Sequence, residues 1–148
     1  MAADPPLIAI DTNLLIYAHR AAVPEHGAAR RALERAARDA AGWGITLASV
    51  AEFWSVVTHP AAAGRASTPR EAAAFVDALA DAGAQLWQPG PGFANRLLHA
   101  ATQGNVRGAR IFDLHIALTA VEAGAREIWT HDGDFVSVPG LRVRDPLD

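Results

Sequence analysis

Short apolar runs recur along the chain. Each is cut off by polar or glycine-bearing residues, with stretches of helical periodicity between them. Leu7 to Asp11 alternates, is rich in isoleucine, and predicts a short buried strand that stops on a carboxylate. Asn13 to Arg20 predicts a helix, with Thr12 or Asp11 as its cap. Pro24 to Ala40 predicts an amphipathic helix with Ala28, Ala32, Leu33 and Ala36 on one side, stopped by Gly42 and Gly44. A second strand is expected at Ile45–Ala48. Ser49 then opens a helix that Pro60 ends, and Ser49 and Glu52 have the spacing of a capping box. Residues 61–67 read as a loop. Thr68, Pro69 and Glu71 supply a cap, a first-turn proline and a capping-box glutamate for a helix reaching Ala82. Ala84–Gln88 predicts a third strand and Phe93–Thr102 a helix, followed by a glycine-rich loop carrying Arg107 and Arg110. Ile111–Ala123 predicts an apolar helix closed by Gly124, its apolar face read as Ile111, Leu114, Leu118 and Val121. Strands at Glu127–Thr130 and Leu141–Arg144 complete the pattern. Strands separated by one or two helices imply one α/β domain over residues 1–148. Its parallel sheet has four to five short strands, flanked by helices on both faces.

Composition narrows the chemistry. The chain is 51% hydrophobic and 20% charged, the balance of a protein with a real core. No apolar run approaches the roughly 20 residues needed to span a bilayer, so no membrane association is expected. "MAADPPL" has no basic segment leading into an apolar stretch, so no signal peptide is expected either. Cysteine is absent, which excludes disulfides, thiolate metal sites and thiol nucleophiles and fits a cytoplasmic location. All 13 Lys and Arg residues are arginine. Without lysine there is no Walker-type phosphate loop and no Schiff base. The net charge of −3 means that nucleic acid could be met only through a local arginine patch or through metal ions.

The acids carry the argument. Asp11 ends the first strand, Glu52 and Asp113 lie in the first turns of predicted helices, and Asp132 and Asp134 follow the fourth strand. Each has an ordinary reading: a cap, a capping box, a partner for the helix dipole, a polar turn. In a parallel sheet, however, the carboxyl ends of the strands share one edge, where ligands bind. Asp11, Glu52 and Asp132 are steered to that edge; Asp113 joins them only if its helix packs with its amino end there. Carboxylates so placed repel one another, and a divalent cation removes the conflict. Oxygen-only ligands suit Mg²⁺ or Mn²⁺, and such a centre suits phosphodiester hydrolysis.

Asp-Thr-Asn after the first strand, Ala-Glu-Phe-Trp, Phe-Asp-Leu-His-Ile-Ala and Thr-His-Asp-Gly-Asp-Phe together resemble the PIN domain. "FWSVVTHP" and "GDFVSVPGLRVRDPL" make the chain most similar to the VapC toxins of type II toxin–antitoxin systems. The resemblance implies a ribonuclease dependent on Mg²⁺ or Mn²⁺, with Asp11, Glu52 and Asp113 as metal-binding catalytic acids. Asp132, in preference to Asp134, is the fourth. It implies that Thr12, Asn13 and Thr130 orient the cluster. It also implies a homodimer and a small VapB-like antitoxin that wraps the toxin and blocks the site.

Phosphate contacts need cations, and Arg107 and Arg110 are the first candidates, with Arg20 next. His19, His59, His115 and His131 read as structural or surface residues. Trp43, Trp54, Trp87 and Trp129 read as packing residues rather than base-stacking platforms. Other strand-end aspartate enzymes fit worse. A haloacid-dehalogenase-type phosphatase wants D-x-D-x-T, but residue 13 is asparagine, and both it and a receiver domain want lysine. No G-x-S-x-G is present for an α/β-hydrolase. The alternatives from other classes are a non-catalytic PIN-like module that binds RNA or protein, and a structural dimerisation module.

Overall fold

A computed structural model describes residues 6–60 and 65–147. The elements run β1 (Ile8–Ile10), α1 (Thr12–His19), α2 (His26–Ala37), β2 (Trp43–Thr46), α3 (Leu47–Val57) and α4 (Pro69–Asp81). They continue with β3 (Gln85–Trp87), α5 (Phe93–Gln103), α6 (Arg110–Glu122), β4 (Glu127–Trp129) and β5 (Arg142–Arg144). The five strands form one sheet in the order β3-β2-β1-β4-β5, every neighbouring pair parallel. The α/β reading of the sequence is therefore correct. Residues 61–64, within the expected 61–67 loop, lie outside the described residues.

Alternation in β1 divides the core. Ile8 and Ile10 face one hydrophobic cluster, with Leu14, Leu33, Trp43, Ile45, Phe53 and Trp129. Ala9 faces the other, with Trp87, Ile116, Ala120 and Ile128. Helices thus cover both faces of the sheet. No helix of the described residues is long and apolar enough to cross a membrane.

Several local expectations shift. Strand β2 lies two residues earlier than Ile45–Ala48, because Thr46 rather than Ser49 caps α3, its side chain accepting from Ser49 N at 3.1 Å. The predicted Ser49–Glu52 capping box does not form, and Glu52 lies in the helix's second turn. On α2 the buried face includes Ala29 in place of Ala28. On α6 the buried face is Leu114, Ile116, Ala117, Thr119 and Ala120; of the expected Ile111, Leu114, Leu118 and Val121, only Leu114 is fully buried. That helix is apolar nearly all round, so its sequence does not mark the face that the sheet covers. The Thr68–Glu71 capping box forms in full, with Pro69 at the helix start.

Glycine in the interior strand β2 has a packing reason. A Cβ on Gly44 would lie 2.4 Å from the buried Trp87 ring. At the far side of the sheet, buried Glu127 accepts from Trp129 Nε1 at 2.9 Å and pairs with Arg142 at 2.5 Å, fastening edge strand β5. We expect Gly44→Ala to lower the free energy of unfolding by about 1–3 kcal/mol. Urea unfolding would measure this, and a near-ultraviolet circular dichroism change would report the displaced Trp87.

Candidate active site

The strand order reverses at β1: β2 and β3 lie to one side, β4 and β5 to the other. The crevice beyond the carboxyl ends of β1 and β4 is thus the topological switch point of the sheet. Asp11 caps α1 there with extended backbone (ψ 158°), and it is only 6% exposed. Its Oδ1 accepts from Thr12 N and its Oδ2 from the Thr130 hydroxyl, both at 2.8 Å. Thr130 Oγ1 in turn accepts from Asn13 Nδ2 and from Asp132 N, each at 3.1 Å. Asn13 Oδ1 receives His131 N at 3.3 Å. Thr12, Asn13 and Thr130, singled out in the sequence, thus form one hydrogen-bonded unit with Asp11.

The other acids approach from three directions. Glu52, released from any cap, accepts from Thr12 Oγ1 at 2.9 Å. Asp113 lies in the first turn of α6, and its Oδ2 accepts from Val136 N at 3.3 Å, in the segment after β4. The amino end of α6 therefore packs toward the acid-bearing edge, as an approach of Asp113 requires. Asp132 Oδ1 accepts from Asp134 N at 2.9 Å. Asp134 itself is largely exposed and lies 3.7 Å from Arg110.

Burial raises the Asp11 carboxyl to about 6, against the relief its two hydrogen bonds give, and the charges of Asp113 and Glu52 add to the rise. Burial is also the main cause of an upward shift at Asp113, with Asp132 contributing and Val136 N–H and Arg110 opposing. Both acids are thus held above the ordinary carboxylate range chiefly by burial, with like charge adding to it. Among the described residues, no three acids or histidines stand close enough to enclose an ion. Each carboxylate rests instead on a protein donor. Mg²⁺ needs only one or two protein carboxylates, with water filling its remaining positions. An all-oxygen donor set, with Asp11 in no ion pair among the described residues and Asp113 held only loosely by Arg110 at 3.6 Å, fits such a cation.

The basic candidates separate. Arg20 donates to the carbonyls of Val57 and Arg65, tying α1 to α3 and the segment after it. Arg107 is exposed in the loop before α6 and reaches Asn105 Oδ1 at 3.4 Å. Arg110 lies among the acids. Trp43, Trp87 and Trp129 are buried, as their packing reading requires, whereas Trp54 is partly exposed. His131 is less isolated than its sequence context suggests, since its Nδ1 lies 2.8 Å from Asp145 Oδ2. Nothing in the local sequence marks that pairing, because Asp145 belongs to a separate segment beyond β5.

The PIN domain family model matches residues 8–141. Ribonuclease VapC43 of Mycobacterium tuberculosis is 34% identical over 143 residues, which are 96% of this chain and 97% of the relative. Among solved structures, the sarcin–ricin-loop-cleaving toxin VapC20 of Mycobacterium tuberculosis has a TM-score of 0.66 at 17% identity, covering 88% of this chain and 98% of that one. VapBC2 of Rickettsia felis, bound to a DNA fragment from its promoter, gives 0.64 at 17% identity over 94% and 98%. At these identities the two structural likenesses speak for the fold.

The burial of Asp11 sets a pH dependence. A carboxyl raised on folding binds its proton more tightly in the folded chain than in the unfolded one. Its contribution to stability is full below the ordinary value of 3.8 and is lost as the pH rises through about 6. Cation-free protein is expected to lose roughly 3 kcal/mol from this group across that window. Asp11→Asn should flatten that part of the profile. Melting temperatures of both proteins across the window test this; parallel profiles would refute it.

Proposed function

Because the chain belongs to the PIN-domain family, on its VapC ribonuclease branch, we propose that its acidic crevice is the centre of a Mg²⁺- or Mn²⁺-dependent endoribonuclease toxin. The observation that carries this reading is Asp11, 6% exposed at the switch point of the sheet and fixed by the Thr12 N–H and the Thr130 hydroxyl, with burial holding its carboxyl at about 6. A non-catalytic binding module would leave a buried and oriented carboxylate without a purpose.

Asp11, Glu52, Asp113 and Asp132 would surround the cation, one or two of them binding it directly and the others through its waters. Asp132 is preferred to Asp134 because its charge acts on Asp113, whereas Asp134 is largely exposed beside Arg110. The bound ion would lower the pKa of water and stabilise the departing oxygen of a cleaved phosphodiester. The remaining tasks fall to the chain. Thr130 and Thr12 N–H fix the rotamer of Asp11, Thr12 hydroxyl aims Glu52, and Asn13 ties the turn after β4 to α1. Arg107 and Arg110 meet RNA phosphates. Arg20, occupied with two backbone carbonyls, serves the scaffold more than the substrate. The toxin acts in the cytoplasm and is held inactive by a small VapB-like antitoxin. Leu47 and Trp54 on α3, Leu86 on β3, Leu98 on α5 and Phe112 on α6 are exposed apolar side chains from which a homodimer would draw its contacts, Leu98 being the most exposed of them.

Purified protein free of antitoxin, incubated with total bacterial RNA, is expected to produce discrete fragments with Mg²⁺ or Mn²⁺ and none with EDTA. Asp11→Asn and Asp113→Asn should each cut cleavage by about 100-fold or more, the upper end of losses seen even for residues supporting metal ligands. Absence of cleavage together with absence of a Mn²⁺-induced rise in melting temperature would defeat the metal-centre reading. For the dimer, Leu98→Asp is expected to sediment as a monomer with an unchanged far-ultraviolet spectrum. A dimer of unaltered affinity would remove α5 from the interface.

A further inference from the structure

Arg110 is the first residue of α6, and its guanidinium lies between two of the acids. Its Nη1 donates to the Asp134 carbonyl at 2.7 Å. The same nitrogen stands 3.6 Å from Asp113 Oδ2, and Nη2 stands 3.7 Å from Asp134 Oδ2. The backbone bond is short and well made, whereas the ionic contacts are too long for good hydrogen bonds. Arg110 is thus anchored through a neutral carbonyl and lends its charge to Asp113 only loosely. Its side chain is 46% exposed, which leaves room to turn.

Asp113 is arranged to accept a second cation. Val136 N–H and Arg110 both address Oδ2, and no donor among the described residues reaches Oδ1. A divalent ion drawn to this carboxylate would meet the guanidinium as a like charge, and the two would compete for it. Arg107, three residues earlier, is not so placed: its recorded partner is the neutral Asn105 side chain.

We propose that Arg110 is an exchangeable counter-cation. It neutralises Asp113 while the crevice holds no divalent ion, gives up that place when the ion enters, and then turns its charge to the RNA phosphate. This rests on the metal-centre reading above and adds to it a coupling between cation and substrate. Each cation that enters frees a phosphate-binding charge on the rim of the same crevice.

The test is a Mn²⁺ titration followed by melting temperature, without RNA, on wild-type protein, Arg110→Gln and Arg110→Lys. Glutamine retains a donor for the Asp134 carbonyl but removes the charge; lysine retains the charge. Arg110→Gln is expected to bind Mn²⁺ about two- to fivefold more tightly, the range set by a half-exposed ion pair, and Arg110→Lys to match the wild type. With saturating Mn²⁺, Arg110→Gln should also raise KM for RNA. A purely structural staple moves the first readout the other way, because a loosened turn weakens metal binding. Weaker or unchanged Mn²⁺ binding by Arg110→Gln overturns the exchange while leaving the metal centre intact. Tighter binding with an unchanged KM overturns the transfer to phosphate. No Mn²⁺ stabilisation of the wild-type protein overturns the metal centre itself, and the exchange with it.

Discussion

The bond from the Thr130 hydroxyl to Asp11 Oδ2, 2.8 Å long and buried, joins the ends of β4 and β1 where the sheet changes direction. A hydroxyl has one proton to give and two lone pairs with which to receive. Thr130 uses all three, giving to Asp11 and receiving from Asn13 and Asp132 N. Donation to Asp11 therefore sets the direction of the other two bonds, and with them the position of the turn that carries His131 and Asp132. A neutral side chain thus organises a negatively charged crevice without cancelling its charge. That leaves Asp11 fixed in place and, among the described residues, without a cation beside it, the condition in which a cation binds there with little rearrangement.

The layout of the fold was legible because its signals are local. The unbroken apolar run "LIAI" marks a strand buried on both faces, and the Thr68–Glu71 box announces a helix start. Asp11 could be placed at the carboxyl edge because a strand that runs straight into a helix leaves its last residue there. Glu52 shows where local reading stops. Thr46 and Ser49 are hydroxyl caps of nearly equal merit three residues apart, and the choice between them decides whether Glu52 is used up by its own helix. The structure chooses Thr46, and Glu52 turns to Thr12, 40 residues away in sequence.

Other features were illegible for a related reason. The buried face of α6 depends on what covers it, and a helix apolar on several sides does not disclose that. The Arg110 clamp and the His131–Asp145 pair join segments that no motif spans. The arginines of the glycine-rich loop look alike in sequence, yet Arg107 faces solvent and Arg110 faces acids. Charge in a sequence gives the sign of a surface; only the fold says which charges meet.

The acid cluster is also built from segments far apart in sequence. Asp11 and Thr130 are separated by 119 residues, so their bond is among the most distant contacts this domain can make. A chain emerging from the ribosome exposes Asp11 early, but with neither the strand beside it nor the helix that bears Asp113. Loop closure on that scale comes late in folding. The crevice therefore needs both segments, and a chain that ends before Asp113 and Thr130 lacks it altogether. The site thus belongs only to a chain that carries both segments.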